Sequence, residues 1–150
     1  MRVIVQNVKD AKLSISNQLY AVIDQGYVLL IGFKDEDNET IVDKMIDKIL
    51  KVRLFQDDKG KTNLSIIDIE GAILAVPQFT LYADLTGGRR PSFTKALAPE
   101  RASLLFDYFV VQLKKLYKQV EFGVFGADMK VNLTNDGPFT IILDSEEIFA

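Results

Sequence analysis

Three short runs hold the residues able to do chemistry. In "PQFTLY", residues 77–82, Thr80 offers a hydroxyl nucleophile, and the amides around Gln78, Phe79 and Thr80 could donate to a developing oxyanion. Taken alone, this run reads more simply as a strand end with Phe79 and Leu81 packed inward. In "GGRRPSF", residues 87–93, glycines permit close backbone approach, and Arg89, Arg90 and the nearby Lys95 could hold a phosphate. Arginines on a loop are more often simply solvated. The third run, "NDGPFT" at residues 135–140, has the composition of a tight turn and by itself suggests nothing further.

What is missing narrows the chemistry. With no histidine, the chain can have no Ser-His-Asp or Cys-His hydrolase site, histidine-ligated zinc or imidazole acid-base pair. With no cysteine, disulfides, thiolate metal sites and thiol nucleophiles are excluded too. Any catalysis must come from carboxylates, lysines, hydroxyls, backbone dipoles or the substrate itself. The net charge of −3 and pI near 5.0 argue against coating nucleic acid by bulk electrostatics, while leaving room for a local contact to an RNA end. Polar residues at Gln6, Asn7, Lys9 and Asp10 interrupt the first apolar run. That pattern and the lack of a bilayer-length segment predict no signal peptide, no membrane span and a cytoplasmic location.

The elements that must position these runs follow from periodicity. At 150 residues and 48% hydrophobic content, the chain suits one domain, residues 1–150. "RVIVQNV" and "KLSIS" alternate as two strands, and "YAVI" and "YVLLIGF" flank a hairpin turn at Asp24, Gln25 and Gly26. Across residues 40–53, Ile41, Met45, Ile46, Ile49 and Leu50 recur at spacings of three and four, predicting an amphipathic helix capped by Asn38 or Thr40. "NLSIIDIEGAILAVPQF" predicts two strands joined at Glu70 and Gly71. Pro99 suits the first turn of a second helix, with Ala102, Leu105, Phe106, Phe109, Leu113 and Leu116 as its buried stripe. "VEFGVFG", "MKVNLTND" and "FTIIL" predict three more strands, the last two hinged at Asp136, Gly137 and Pro138. This order favours an α+β fold with a mixed or antiparallel sheet and two amphipathic helices on one face.

Together, in order and spacing, the runs resemble the D-aminoacyl-tRNA deacylases, formerly called D-tyrosyl-tRNA deacylases. The marks of that family are an opening close to "MRVVVQRV", then "SQFTLYAD", "KGNRPSF" and "FGADMxVxLxNDGPVT". Here they stand as "MRVIVQNV", "PQFTLYAD", "TGGRRPSF" and "FGADMKVNLTNDGPFT", and the resemblance runs the length of the chain.

The resemblance implies a barrel-like sheet in a homodimer; no cofactor is expected and no residue is assigned as a metal ligand. The activity it implies is hydrolysis of the ester joining a D-amino acid, or glycine, to the terminal adenosine of tRNA, a form of chirality proofreading in translation. Gln78, Phe79 and Thr80 would form the catalytic run, with the amides of Phe79 and Thr80 as oxyanion donors. Gly137 and Pro138, joined by a cis peptide, would enter the active site of the partner subunit and reject L side chains. Pro77, Asn135, Asp136 and Phe125 would support the site, and Arg89, Arg90 and Lys95 would contact the acceptor end of the tRNA. An activated ester needs mainly positioning, oxyanion stabilisation and water, which answers the absence of histidine. Among the departures from the family pattern are Pro77 for serine, Asn7 for arginine and Phe139 for valine. The first two suggest an alternative, a divergent paralogue that binds an aminoacyl-adenosine end with little or no hydrolysis.

Overall fold

The computed structural model describes all 150 residues. Along the chain come strands β1 (Arg2–Ile15), β2 (Gln18–Ile23) and β3 (Gly26–Gly32), helix α1 (Glu39–Lys51), and strands β4 (Arg53–Gln56), β5 (Thr62–Ser65) and β6 (Ala72–Pro77). A 3-10 turn (Phe79–Tyr82) and a long loop lead to α2 (Pro99–Leu116), β7 (Val120–Phe122), β8 (Met129–Asp144) and the short α3 (Ser145–Ile148).

The opening segment is one strand, not two. The register of β1 against β8 shifts between Gln6 and Val8 and again between Val8 and Ala11, so the chain continues through Lys9 and Asp10 as an irregular strand. The irregularity changes which side chains face which way: Val3 and Val5 join one core, Ala11 and Leu13 the other. β2 lies antiparallel to the second half of β1 and β3 to the first half, while β8 pairs with both halves. β2 and β3 therefore follow one another along a single edge, and Asp24 and Gln25 form a bend between them. The expected hairpin turn is instead at Ser16 and Asn17, whose φ of 52° and 61° suit a hairpin with two left-handed central residues.

β3 and β6 run parallel, as do β6 and β7, so each pair needs a crossover; α1 lies within the first and α2 forms the second. Gly26 is required where β3 meets β6, because a Cβ there would lie 1.8 Å from the Ala72 carbonyl oxygen. The sheet order is β2-β1-β3-β6-β7 with β8 on β1, and β2 comes against β6 and β7, curling the sheet nearly into a barrel. β4 and β5 form a separate two-stranded sheet.

Alternation along the central strands feeds two cores. Tyr27, Leu29, Ile31, Ile73 and Ala75 face α1 and α2, whereas Val28, Leu74 and Val76 face the inside of the curl with Val8, Ala21 and Ile23. α1 is capped by Asn38, whose side-chain oxygen accepts the Ile41 amide at 3.2 Å. In α2, Ala102, Phe106, Phe109 and Leu113 are buried as the stripe predicts and Leu105 is half-buried. Leu116 differs: it ends the helix and is 64% exposed. β8 is continuous where two hinged strands were expected, with the Asp136, Gly137 and Pro138 hinge carried as a bulge. No helix is long and apolar enough to cross a membrane.

Candidate active site

The 3-10 turn grows out of the end of β6. The Gln78 amide donates to the Ile31 carbonyl at 2.7 Å, Leu81 N–H to the Gln78 carbonyl at 3.3 Å, and Ala83 N–H to the Thr80 carbonyl at 3.0 Å. Phe79 and Thr80 thus supply the first amides of the turn, ahead of any carbonyl within it that could accept from them. The Gln78 side-chain amide donates to the Thr80 hydroxyl in a close contact. The run is a shaped turn rather than the inward-packed strand end: Phe79 is 52% exposed and Leu81 only half-buried.

Beside this turn opens an apolar cavity of about 480 Å³, bordered by Phe79 but not by Gln78 or Thr80. Pro77, Phe79 and Phe125, all singled out from the sequence, line it with Phe93, Leu97 and Pro99. Phe79 and Phe93 meet edge to face with centroids 5.0 Å apart, and Phe125 leans on Phe106 at 6.5 Å. Phe93, the aromatic that follows the glycine-rich turn of "GGRRPSF", has no role predicted from sequence, yet it forms part of the wall. The contribution of the α2 start, Pro99 and Ala102, left no signal beyond that of an ordinary helix.

Pro77 is accommodated without disrupting the ladder. Ile73 donates toward β7 and Gln78 toward β3, so by alternation the nitrogen of Pro77 faces the β7 side, where β7 has already ended at Phe122.

Residues 84–92 form a loop closed by paired Asp84 and Ser92 backbones, at 2.7 and 2.9 Å. Arg89 and Arg90 stand exposed at its tip and form no ion pair, whereas Lys95 is engaged with the Asp84 carboxylate at 2.8 Å. The Lys95 ammonium, with the Thr86 amide and hydroxyl, holds the Asp84 carboxyl well below the usual carboxylate range. Burial, reinforced by Asp37 and Asp144, pushes the Tyr82 hydroxyl well above its ordinary range, so it stays neutral and is no candidate base.

The "NDGPFT" run is held by the Asn135 side chain. Its Nδ2 donates to the carbonyls of Asn7 at 2.9 Å and Phe139 at 3.0 Å, and its oxygen accepts the Phe139 amide at 3.2 Å. Asp136, Gly137 and Pro138 project into solvent, with Gly137 at φ 134° and the Gly137-Pro138 peptide cis. Asn7 is buried, and its side chain donates to the Leu54 carbonyl at 2.6 Å rather than to the turn.

One chain does not bring this turn to the cavity. Val3 stands opposite Ile31, the partner of Pro77, whereas Asn135 stands opposite Val8. Five residues along β1 amount to ~17 Å, and three strand spacings separate β6 from β8. Pro77, Phe79 and Phe125 are therefore brought together at the cavity within one chain, while Gly137 and Pro138 form a second, outward-facing feature.

These features define an α+β class, a mixed sheet curled nearly into a barrel with an apolar cavity at the end of a parallel strand. A family model described as D-Tyr-tRNA(Tyr) deacylase matches residues 4–144, and the chain belongs to this family. It is 47% identical over 150 residues to the D-aminoacyl-tRNA deacylase of Thermosipho melanesiensis, covering 99% of this chain and 100% of the relative. The D-aminoacyl-tRNA deacylase of Syntrophomonas wolfei is 48% identical over 149 residues, at the same coverage. Among solved structures, one described as c-Myc DNA Unwinding Element Binding Protein superposes with a TM-score of 0.91 at 36% identity, over 96% of this chain and 98% of the other. A probable eukaryotic D-amino acid tRNA deacylase shares the fold at a TM-score of 0.83 and 20% identity, over 95% and 97%.

Proposed function

We propose that the chain hydrolyses the ester of D-aminoacyl-tRNA, and of glycyl-tRNA, releasing free tRNA and amino acid as a proofreading step in the cytoplasm. The observation that carries this reading is the apolar cavity bordered by Phe79 at the start of the 3-10 turn, in a member of this family.

The terminal adenine packs among Phe79, Phe93 and Phe125, and the ester carbonyl oxygen faces the amides of Phe79 and Thr80. Water attacks the carbonyl carbon, and the two amides receive the charge that develops on its oxygen. The intermediate then collapses: the bond from carbonyl carbon to ribose oxygen breaks. The proton from water passes to that oxygen, with the neighbouring ribose 2′-hydroxyl as relay. No protein base is required, consistent with a chain lacking histidine. The Thr80 hydroxyl, engaged by Gln78, acts as a hydrogen-bonding group rather than a nucleophile.

Selectivity comes from a second copy of the chain. The exposed Gly137-Pro138 turn of one subunit reaches the cavity of the other, where its carbonyls accept from the substrate ammonium and its backbone occupies the space an L side chain would need. Glycine passes the same filter. The separation of turn and cavity within one chain supports this homodimeric arrangement. Arg89 and Arg90 meet the backbone of the tRNA acceptor end, with Lys95 shaping the loop through Asp84.

The test is deacylation of D-tyrosyl-tRNA, L-tyrosyl-tRNA and glycyl-tRNA by the purified protein, each against an enzyme-free control. Accelerated loss of the D and glycyl esters with the L ester spared is expected. No acceleration of the D ester by folded, dimeric protein overturns the proposal and favours a paralogue that binds without hydrolysis.

A further inference from the structure

A 3-10 turn of four residues has little internal support, and the carbonyls at its end have no helical partner. That of Leu81 is taken by Arg2, whose Nη1 donates to it at 2.9 Å. The same guanidinium lies 5.0 Å from the centroid of the Tyr82 ring, and its Nε and Nη2 sit 2.9 and 2.8 Å from Asp144 Oδ2. Asp144 is only 5% exposed, and its other oxygen accepts the Glu146 amide at 3.0 Å, which caps α3.

An unbroken path of contacts therefore runs from the end of β8, through Asp144 and Arg2 at the start of β1, to the last two residues of the turn. β8 also carries Gly137 and Pro138. The path ties the strand bearing the exposed turn to the segment bearing the oxyanion donors. An exposed ion pair alone contributes little. Arg2 does more, because one planar cation engages a carbonyl, a carboxylate and an aromatic face at once, which an ammonium cannot do in the same geometry.

We infer that Arg2 is a positioning residue for the deacylase chemistry proposed above, on which this inference rests. It fixes the end of the 3-10 turn and thereby the amides of Phe79 and Thr80, without touching the substrate. Arg2 is absent from the cavity wall, so its loss acts on the placement of donors rather than on the grip on adenosine.

The experiment compares Arg2→Met, which keeps the aliphatic stem and removes the donors, with Arg2→Lys, which keeps the charge. Steady-state deacylation of D-tyrosyl-tRNA is combined with amide hydrogen exchange. In Arg2→Met, kcat is expected to fall on the order of 10- to 100-fold, the penalty of a misplaced catalytic group, with KM nearly unchanged. Arg2→Lys should recover only part of that loss. Exchange at the Leu81 and Ala83 amides should speed up in Arg2→Met while that of core β1 amides such as Val5 stays slow. Unchanged kcat in Arg2→Met overturns the inference, and so does a loss accompanied by faster exchange throughout β1, which would mark general destabilisation. If wild-type protein leaves the D ester untouched, it is the deacylase reading that fails, and exchange at Leu81 and Ala83 still decides whether Arg2 holds the turn.

Discussion

Replacing Asn135 with alanine should loosen the Gly137-Pro138 turn and weaken discrimination between D and L esters. Besides accepting from the Thr140 hydroxyl at 3.5 Å, the side chain makes three shorter hydrogen bonds, to Asn7 O, Phe139 O and Phe139 N–H, spanning the base of the turn. At roughly 1 kcal/mol net each they would contribute ~3 kcal/mol. Because Asn135 is half-buried, water replaces part of this, leaving a loss of about 2 kcal/mol. For a domain of this length that corresponds to a fall in Tm of ~4–8 °C, measured at one fixed protein concentration because the Tm of the proposed dimer would depend on it. The strand pairing on either side, at Val8 with Asn135 and Gln6 with Thr140, remains to hold β8 on β1. The effect should therefore stay local to the turn. If the turn's position accounts for even 1.4 kcal/mol of the discrimination, the ratio of D-tyrosyl to L-tyrosyl deacylation falls about tenfold. The assay is that ratio, measured on wild type and variant, beside a thermal melt. A lowered Tm with an unchanged ratio would refute the assignment of selectivity to the turn. An unchanged Tm would refute the claim that Asn135 holds it.

Phe125→Ala removes an aromatic wall of the cavity. Stacking of a base on an aromatic ring contributes ~1–3 kcal/mol, so KM for D-tyrosyl-tRNA should rise on the order of tenfold with a smaller change in kcat, and an unchanged KM in folded protein would exclude adenine from that wall. Pro77→Ser should change turnover little, because the proline nitrogen lies beyond the end of β7; a large rise would identify the native chain as one that binds with little hydrolysis. Removing Arg89 and Arg90 together should weaken tRNA binding and flatten its salt dependence by about 0.7 in log-log slope per lost single-strand phosphate contact. Unchanged affinity and slope would take the loop out of the interface. The Asp84 carboxyl is held low in the folded protein, so its contribution to stability is present above the ordinary carboxylate range and lost only as pH falls through the folded value. Between about pH 5 and 8 the exchange of the paired Asp84 and Ser92 amides should therefore show no change beyond its intrinsic pH dependence, whereas Asp84→Asn should accelerate it.

The family was legible in the sequence, and so were the chemistries that the chain's composition excludes. A chain without histidine or cysteine is left with carboxylates, lysines, hydroxyls, backbone dipoles and the substrate, and the four ordered motifs pointed to the family. Helix α1 and most of the α2 stripe were also legible, because helical periodicity is a local signal, while the structure chose Asn38 over Thr40 as the cap. The tertiary structure decided what depends on partners distant in sequence. It merged "RVIVQNV" and "KLSIS" into one strand, because pairing with β8 on one edge and with β2 and β3 on the other carries the chain through Lys9 and Asp10. It moved the hairpin from Asp24 to Ser16 and Asn17, since which strands become neighbours is set by the sheet and not by a run of turn residues. It also brought Phe93, Leu97 and Pro99 round to Phe79, closed Asn135 over its own turn, and placed Arg2 against Leu81 across 79 residues of chain. Composition and local motifs are read along the chain; the long-range contacts that hold the 3-10 turn in place exist only once the chain has folded.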